Sequence, residues 1–271
     1  MFELNLGISI SSVAPRMNRE LMELLAKSSI KTFELNAAMF CEDYDGALRE
    51  AFRRTLADSG KRVLSFHIPF SAMDDLSALD EDTRLRALAR FRALQKEAVF
   101  FQAELLVLHP STEPIDQTRR SEHMLQLRKS MQEIEGEIKL AKMRLVLENL
   151  PRLCMGNTVS ELQNMLVGMS DVFAACLDVN HLMDQQARLP EMTRQLGSKL
   201  QALHISDYDG IDEKHWLPGQ GVIDWQEFLK ALKEINYQGS FNYEVKNNPD
   251  LDCAGRINEI ENNFAWLQTL L

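Results

Sequence analysis

The chain of 271 residues carries 40 Asp and Glu against 30 Lys and Arg, a formal net charge of -10, which disfavours broad attraction to nucleic acid or to an anionic membrane. Its 45% hydrophobic and 26% charged residues suit a folded core with a wet surface and exclude disorder over most of the length. Cys41, Cys154, Cys176 and Cys253 form no Cys-x-x-Cys pair, no stretch approaches the roughly 18 apolar residues that would span a bilayer, and the opening segment lacks the basic region of a signal peptide, so a reduced, soluble, cytoplasmic protein is expected.

Strand-like and helix-like runs alternate from end to end. The first strand is expected over 3–10, followed by a helix with Leu21, Leu24 and Leu25 on one face. The second, 32–37, carries Glu34 near its end. The third, 62–69, contains Leu-Ser-Phe-His67, and the charge-rich helix over 84–96 after it reads as a solvated outer face. The fourth strand, 104–109, ends in Leu-Val-Leu-His109. It precedes a helix whose stripe is Met124, Leu127, Met131, Ile134 and Ile138, with His123 beside it in a packing or surface role.

The fifth strand, 144–150, holds Leu-Val-Leu-Glu148 and leads to Arg152, which has equal claims to a salt bridge and to substrate recognition. Thr158 and Glu161 then have the spacing of a capping box. The sixth strand, 172–178, ends in Ala-Cys-Leu-Asp178, with His181 three residues on, and the seventh, 200–206, carries Gln-Ala-Leu-His204. The loop after it holds Glu213, His215, Trp216, Gly219 and Gly221 and leads to a second capping pair, Asp224 and Glu227. The eighth strand, 240–245, includes Phe-Asn-Tyr-Glu244, and a helix striped by Ile257, Ile260, Phe264 and Leu267 closes the series.

Eight strand–helix units without a long linker or a second composition zone predict one α/β domain over 1–271, a (β/α)8 TIM barrel. A doubly wound open sheet is the competitor, but it would spread the strand tips along a line. In a barrel the tips converge on one mouth, where Glu148, Asp178, His204 and Glu244 can share a divalent ion. His67 and His109 would face the same mouth, as further ligands or as substrate contacts. Glu34 would face it too, to bind substrate or to pack within the barrel. Trp216 is read as stacking on a sugar face or packing on its loop. The loop with Gly219 and Gly221 is read first as a tight turn and second as a cradle of amides for a substrate phosphate or hydroxyl.

His67-Ile-Pro, His109-Pro, Glu148-Asn-Leu-Pro, Asp178-Val-Asn-His181, His204-Ile-Ser-Asp-Tyr-Asp and Asn-Tyr-Glu244, in this order, resemble the xylose-isomerase-like barrel superfamily. That superfamily includes sugar and sugar-phosphate isomerases and epimerases and the endonuclease-four type of abasic-site nuclease. The resemblance implies that Glu148, Asp178, His204 and Glu244 bind one divalent ion. In the epimerase branch it implies that Glu148 and Glu244 are the paired acid and base. Chemically, a metal chelating a ketose carbonyl and a neighbouring hydroxyl acidifies the adjacent C–H. In the nuclease branch, His67, His109, His181, Glu213 and His215 would complete a multi-metal cluster. Here, however, Glu148-Asn-Leu-Pro and Asp178-Val-Asn-His181 depart from that branch, and the segment from His215 to Asp224 looks more like the sugar group.

The expected function is therefore a metal-dependent sugar or sugar-phosphate isomerase or epimerase using manganese or zinc, with magnesium also compatible. A metal-dependent abasic-site phosphodiesterase is the alternative, and a catalytically silent sugar-binding barrel the third. The expected partner is a small sugar or sugar phosphate rather than nucleic acid or membrane. Homo-oligomerisation is compatible with the sequence.

Overall fold

In the computed structural model, residues 3–39 and 46–271 are described; Cys41 lies outside them. Eight strands, β1 (Asn5–Ser9), β2 (Thr32–Asn36), β3 (Arg62–His67), β4 (Leu105–Leu108), β5 (Arg144–Glu148), β6 (Phe173–Asp178), β7 (Leu200–Ile205) and β8 (Ser240–Tyr243), pair in sequence order. β8 returns to β1, and every pairing is parallel, so the sheet closes into a barrel. The major helices are α1 (Arg19–Lys27), α2 (Gly46–Asp58), α3 (Glu81–Phe100), α4 (Arg120–Leu140), α5 (Val159–Leu166), α6 (Leu189–Leu196), α7 (Trp225–Glu234) and α8 (Cys253–Gln268). The expected single-domain (β/α)8 barrel is the observed fold, because strands this apolar on both faces must be covered by helices outside and by one another inside.

The helix stripes read from the sequence face the sheet. Leu127, Met131, Ile134 and Ile138 of α4 are buried, as are Ile257, Ile260, Phe264 and Leu267 of α8. Thr158 caps α5 by accepting from the Glu161 amide, and Asp224 caps α7 by accepting from the Glu227 amide. Glu161 does not complete the box on Thr158; it reaches further back, to the Gly156 amide at 2.6 Å. The solvated reading of the charge-rich helix fails at Arg84. That side chain is only 1% exposed and is wedged between α3 and α4, donating to Ser130 Oγ at 3.0 Å, to Glu81 and to Glu133. These four hydrogen bonds, two of them to Glu81, remove the cost that an unpaired buried guanidinium would carry.

The lumen is divided. Leu105, Val107, Val146, Ala174, Cys176 and Ala202 make an apolar half, while Thr32 Oγ1 and Ser240 Oγ meet at 2.7 Å on the other side. Gly7 lies between these two hydroxyls. A Cβ there would sit 2.0 Å from Ser240 Oγ and 2.5 Å from Thr32 Oγ1, so only glycine permits the approach. Two register shifts interrupt the ladder, one between Phe33 and Glu34 and one between Ala175 and Cys176. Among the described residues, no helix is long and apolar enough to cross a membrane.

Candidate functional site

The carboxyl ends of the strands bring Glu148, Asp178, His204 and Glu244 together, with one ligating atom from each lying within 4.8 Å of the others. His204 is the hub. Its Nδ1 is 2.9 Å from Glu244 Oε2, 3.1 Å from Glu148 Oε1 and 3.8 Å from Asp178 Oδ2. Asp178 Oδ2 is buried and has no hydrogen-bond partner. Asp178 Oδ1 accepts from the Asn180 amide at 2.6 Å, and Asn149 clasps the Asp178 backbone, accepting from its N–H at 2.7 Å and donating to its C=O at 3.0 Å. An aspartate so firmly placed, with one oxygen left over in the interior, suits a cation.

Two further triads flank this group. His67 Nε2 and His109 Nε2 approach Glu148 Oε2 at 3.1 and 3.3 Å. On the other side, Glu213 Oε2 lies 3.8 Å from His181 Nε2 and 3.9 Å from His215 Nε2. The remaining nitrogens of three of these rings are anchored on backbone carbonyls: His67 on Ile68, His181 on Asn149 and His215 on Glu244. Each anchor fixes its ring and leaves Nε2 turned toward the carboxylates.

Burial alone would raise the Glu148 carboxyl, but His204 and His109 beside it hold it well below the ordinary carboxylate range. Glu244 is held at about 2 because His204 overcomes the same burial penalty. Asp178, with weaker compensation from His181, is pushed up by burial to about 6. Burial lowers His109, whereas at His67 the Glu148 carboxylate outweighs burial and raises the ring to about 9. Carboxylates with separated proton affinities in one buried cluster are characteristic of functional sites.

Above these groups opens a cavity of about 400 Å³, lined in part by Ser9, Asn36, Phe70, His109, His181 and Glu244, within the range of small-ligand sites. A larger hollow of about 640 Å³ lies at the opposite end of the barrel, among Lys31, Arg62, Glu104 and Gln201. No ligating cluster found among the described residues includes any of these four, and that face of the fold ordinarily serves stability.

At several positions the sequence left two readings open. Glu34 fits the packing role: it is buried within the barrel against His204, accepting from Nε2 at 3.2 Å and from Ser65 Oγ at 2.7 Å, and is not among the residues lining the cavity. The loop with Gly219 and Gly221 fits the first reading, a tight turn. The Gly219 amide donates to Asp207 Oδ2 at 2.9 Å, and a Cβ on Gly221 would lie 2.1 Å from the Tyr208 carbonyl, so the turn is packed against its own strand. Trp216 is 37% exposed and bridges to Asp207 through its backbone, and it is not among the residues lining the mouth. Arg152 does line the mouth, but its guanidinium is engaged with Glu113 at 2.7 Å, Asp212 at 3.1 Å and Glu213 at 2.5 Å. His123 is buried on Ser77, with Nδ1 at 3.0 Å from its carbonyl, in keeping with a packing role.

Sequence reasoning missed Asn149, Ser65 and Asp207. Asn149 had a signal, being a polar residue directly after the strand-tip Glu148. Asp207 had none that distinguished it from Asp209, yet it is buried and accepts from Tyr208 N, Gly219 N, Ile223 N and Trp225 Nε1.

An uncharacterized protein of Methanocaldococcus jannaschii is 25% identical over 255 residues, covering 91% of this chain and 85% of that protein. Among solved structures, D-psicose 3-epimerase of Clostridium cellulolyticum H10 with D-tagatose superposes with a TM-score of 0.81 at 20% identity over 99% of both chains. The IolI protein with a bound zinc atom superposes with a TM-score of 0.79 at 19% identity over 97% of this chain and 98% of that one. At such identities the likeness is one of fold. The model of the xylose isomerase-like TIM barrel matches residues 22–270, and the chain belongs to that family.

Proposed function

We propose that this chain is a divalent-metal-dependent sugar isomerase or epimerase that moves a proton at a carbon beside a carbonyl. The observation that carries the reading is the pair of carboxylates on one imidazole nitrogen, Glu148 Oε1 and Glu244 Oε2 at 3.1 and 2.9 Å from His204 Nδ1, beside the partnerless Asp178 Oδ2. Three carboxylates and one imidazole make a donor set for a hard or borderline dication such as manganese, zinc or magnesium. Glu148, Asp178, His204 and Glu244 would hold it. When bound, such an ion polarises a substrate carbonyl and so acidifies the neighbouring C–H.

The chain's own residues handle the proton. Glu148 reaches in from the end of β5 and Glu244 from just beyond β8, and both are held ionised, the state in which a carboxylate can accept a proton. Glu148 is enclosed by His67, His109 and His204. Glu244 lines the open cavity with a quarter of its side chain exposed, so it is the freer base. Ser9, Asn36 and the rings of His67 and His109 line the same cavity and can hydrogen-bond sugar hydroxyls. The test is a panel of free and phosphorylated ketoses offered to the metal-loaded protein. Conversion should vanish on chelation, return with Mn²⁺ or Zn²⁺, and fall by about 10²-fold or more in Glu244→Gln. Conversion indifferent to both changes would count against the reading.

A second reading, a multi-ion phosphodiesterase acting at abasic sites in DNA, has its own supporting observation. The triads His67–His109–Glu148 and His181–Glu213–His215 each gather ligating atoms within 4.8 Å, and Glu148 is shared with the central group. The ion count separates the two: one bound ion per chain supports the isomerase, and three support the phosphodiesterase.

A further inference from the structure

We infer that Glu34 is a positioning residue of the proposed metal centre, holding His204 by Nε2 so that Nδ1 is presented to Glu148, Glu244 and Asp178. The inference rests on the metal reading above and adds to it a residue outside the cavity lining. Glu34 Oε2 lies 3.2 Å from His204 Nε2, and Ser65 Oγ, from the neighbouring β3, donates to the same oxygen at 2.7 Å. Both Glu34 and His204 are buried, and Glu34 is absent from the cavity lining.

The backbone contributes to this placement. The β2–β3 ladder changes register between Phe33 and Glu34, and such bulges re-aim a side chain beside a functional site. A neutral imidazole that donates Nε2–H to a carboxylate carries its lone pair on Nδ1, which is the side where the other three carboxylates gather. A carboxylate acceptor behind a ligating histidine fixes the ring and increases its basicity. A competing arrangement is that Glu34 ligates directly, since it also falls within 4.8 Å of His67, His204 and Glu244. In that case the ring would meet the ion through Nε2.

Cobalt(II) is the probe, because its visible absorption reports both donor set and affinity without substrate turnover. Glu34→Gln, Ser65→Ala, His204→Gln and the two double variants with His204→Gln are titrated with Co²⁺ alone, and unfolding of each metal-free variant checks that it folds. Glu34→Gln should bind about 10- to 100-fold more weakly than wild type, with an absorption band of unchanged shape. Ser65→Ala should weaken binding less. Neither change should cost anything further in the His204→Gln background, since both act through His204. Affinity in Glu34→Gln within about 2-fold of wild type, a band changed in shape, or full additivity with His204→Gln would each overturn the inference. If Glu34→Gln does not fold, the Ser65→Ala pair decides by the same comparison. A wild-type chain that takes up no Co²⁺ ends the metal reading and this inference together. Co²⁺ uptake without conversion of any sugar ends only the isomerase assignment and leaves the role of Glu34 standing.

Discussion

Asp178 Oδ2 lies 3.5 Å from His181 Nδ1 and 3.8 Å from His204 Nδ1, too far to hydrogen-bond either, and has no other partner. Leaving a buried polar atom unsatisfied costs about 1–3 kcal/mol, and more when it is charged. In Asp178→Asn the oxygen facing Asn180 can remain while the new amide donates toward the neighbouring carboxylates. The metal-free variant should therefore be more stable than wild type by about 1–3 kcal/mol in urea unfolding with chelator present. Its metal affinity should fall by about 100-fold or more, since even outer partners of ligands are worth 10- to 100-fold. A variant that loses stability without metal, or keeps its metal, would contradict this account. Glu148→Ala should likewise lose the metal while remaining folded, as judged by metal analysis and circular dichroism. That Glu148, Asp178, His204 and Glu244 meet was legible in the sequence because each follows an apolar run, and a barrel turns such positions into neighbours. Glu34 follows the same pattern but ends up behind His204, because the bulge before it is a property of ladder register and leaves no mark in composition.

At the scale of elements, the loop after β7 is organised by Asp207, whose carboxylate receives three backbone amides and the Trp225 indole. Asp207→Ala strands these donors in the interior and should cost about 3 kcal/mol or more. The expected signature is a lowered urea midpoint with an unchanged slope; a loss under about 1 kcal/mol would mean that the loop finds other acceptors. Thr158→Ala, which removes the cap of α5, should cost about 1 kcal/mol. Caps of this kind were readable from spacing alone. Strand ends were not: the third strand, expected over 62–69, ends at His67, after which the Ile68 amide makes one more bond, to the Val107 carbonyl at 2.9 Å, and Pro69 has no N–H to continue the ladder. The glycine loop was legible in part. Pro-Gly219-Gln-Gly221 signals a tight turn correctly, but only the fold reveals that the turn closes onto Asp207 and Tyr208.

For the whole molecule, the regular alternation of eight strands and helices made the closed barrel legible, since each strand–helix unit needs the next to cover its apolar faces. The choice of chemistry was less legible, because the same mouth supports a central four-residue group and two flanking triads. Charge bears on that choice. The chain is at -10, and Arg152 at the mouth is engaged by Glu113, Asp212 and Glu213, leaving that guanidinium little capacity for a phosphate backbone. Metal-loaded protein should therefore show no specific nicking of an abasic duplex at moderate salt. Nicking that depends on both metal and Glu148 would favour the phosphodiesterase instead. The most direct test of the central claim is solvent exchange in D2O with the metal-loaded protein and a ketose it converts, read by mass spectrometry and NMR of the product. Proton transfer through Glu148 and Glu244 predicts deuterium at the carbon beside the carbonyl, abolished in the Glu148→Gln, Glu244→Gln double variant at matched metal occupancy. Conversion with no deuterium entering the product would contradict it.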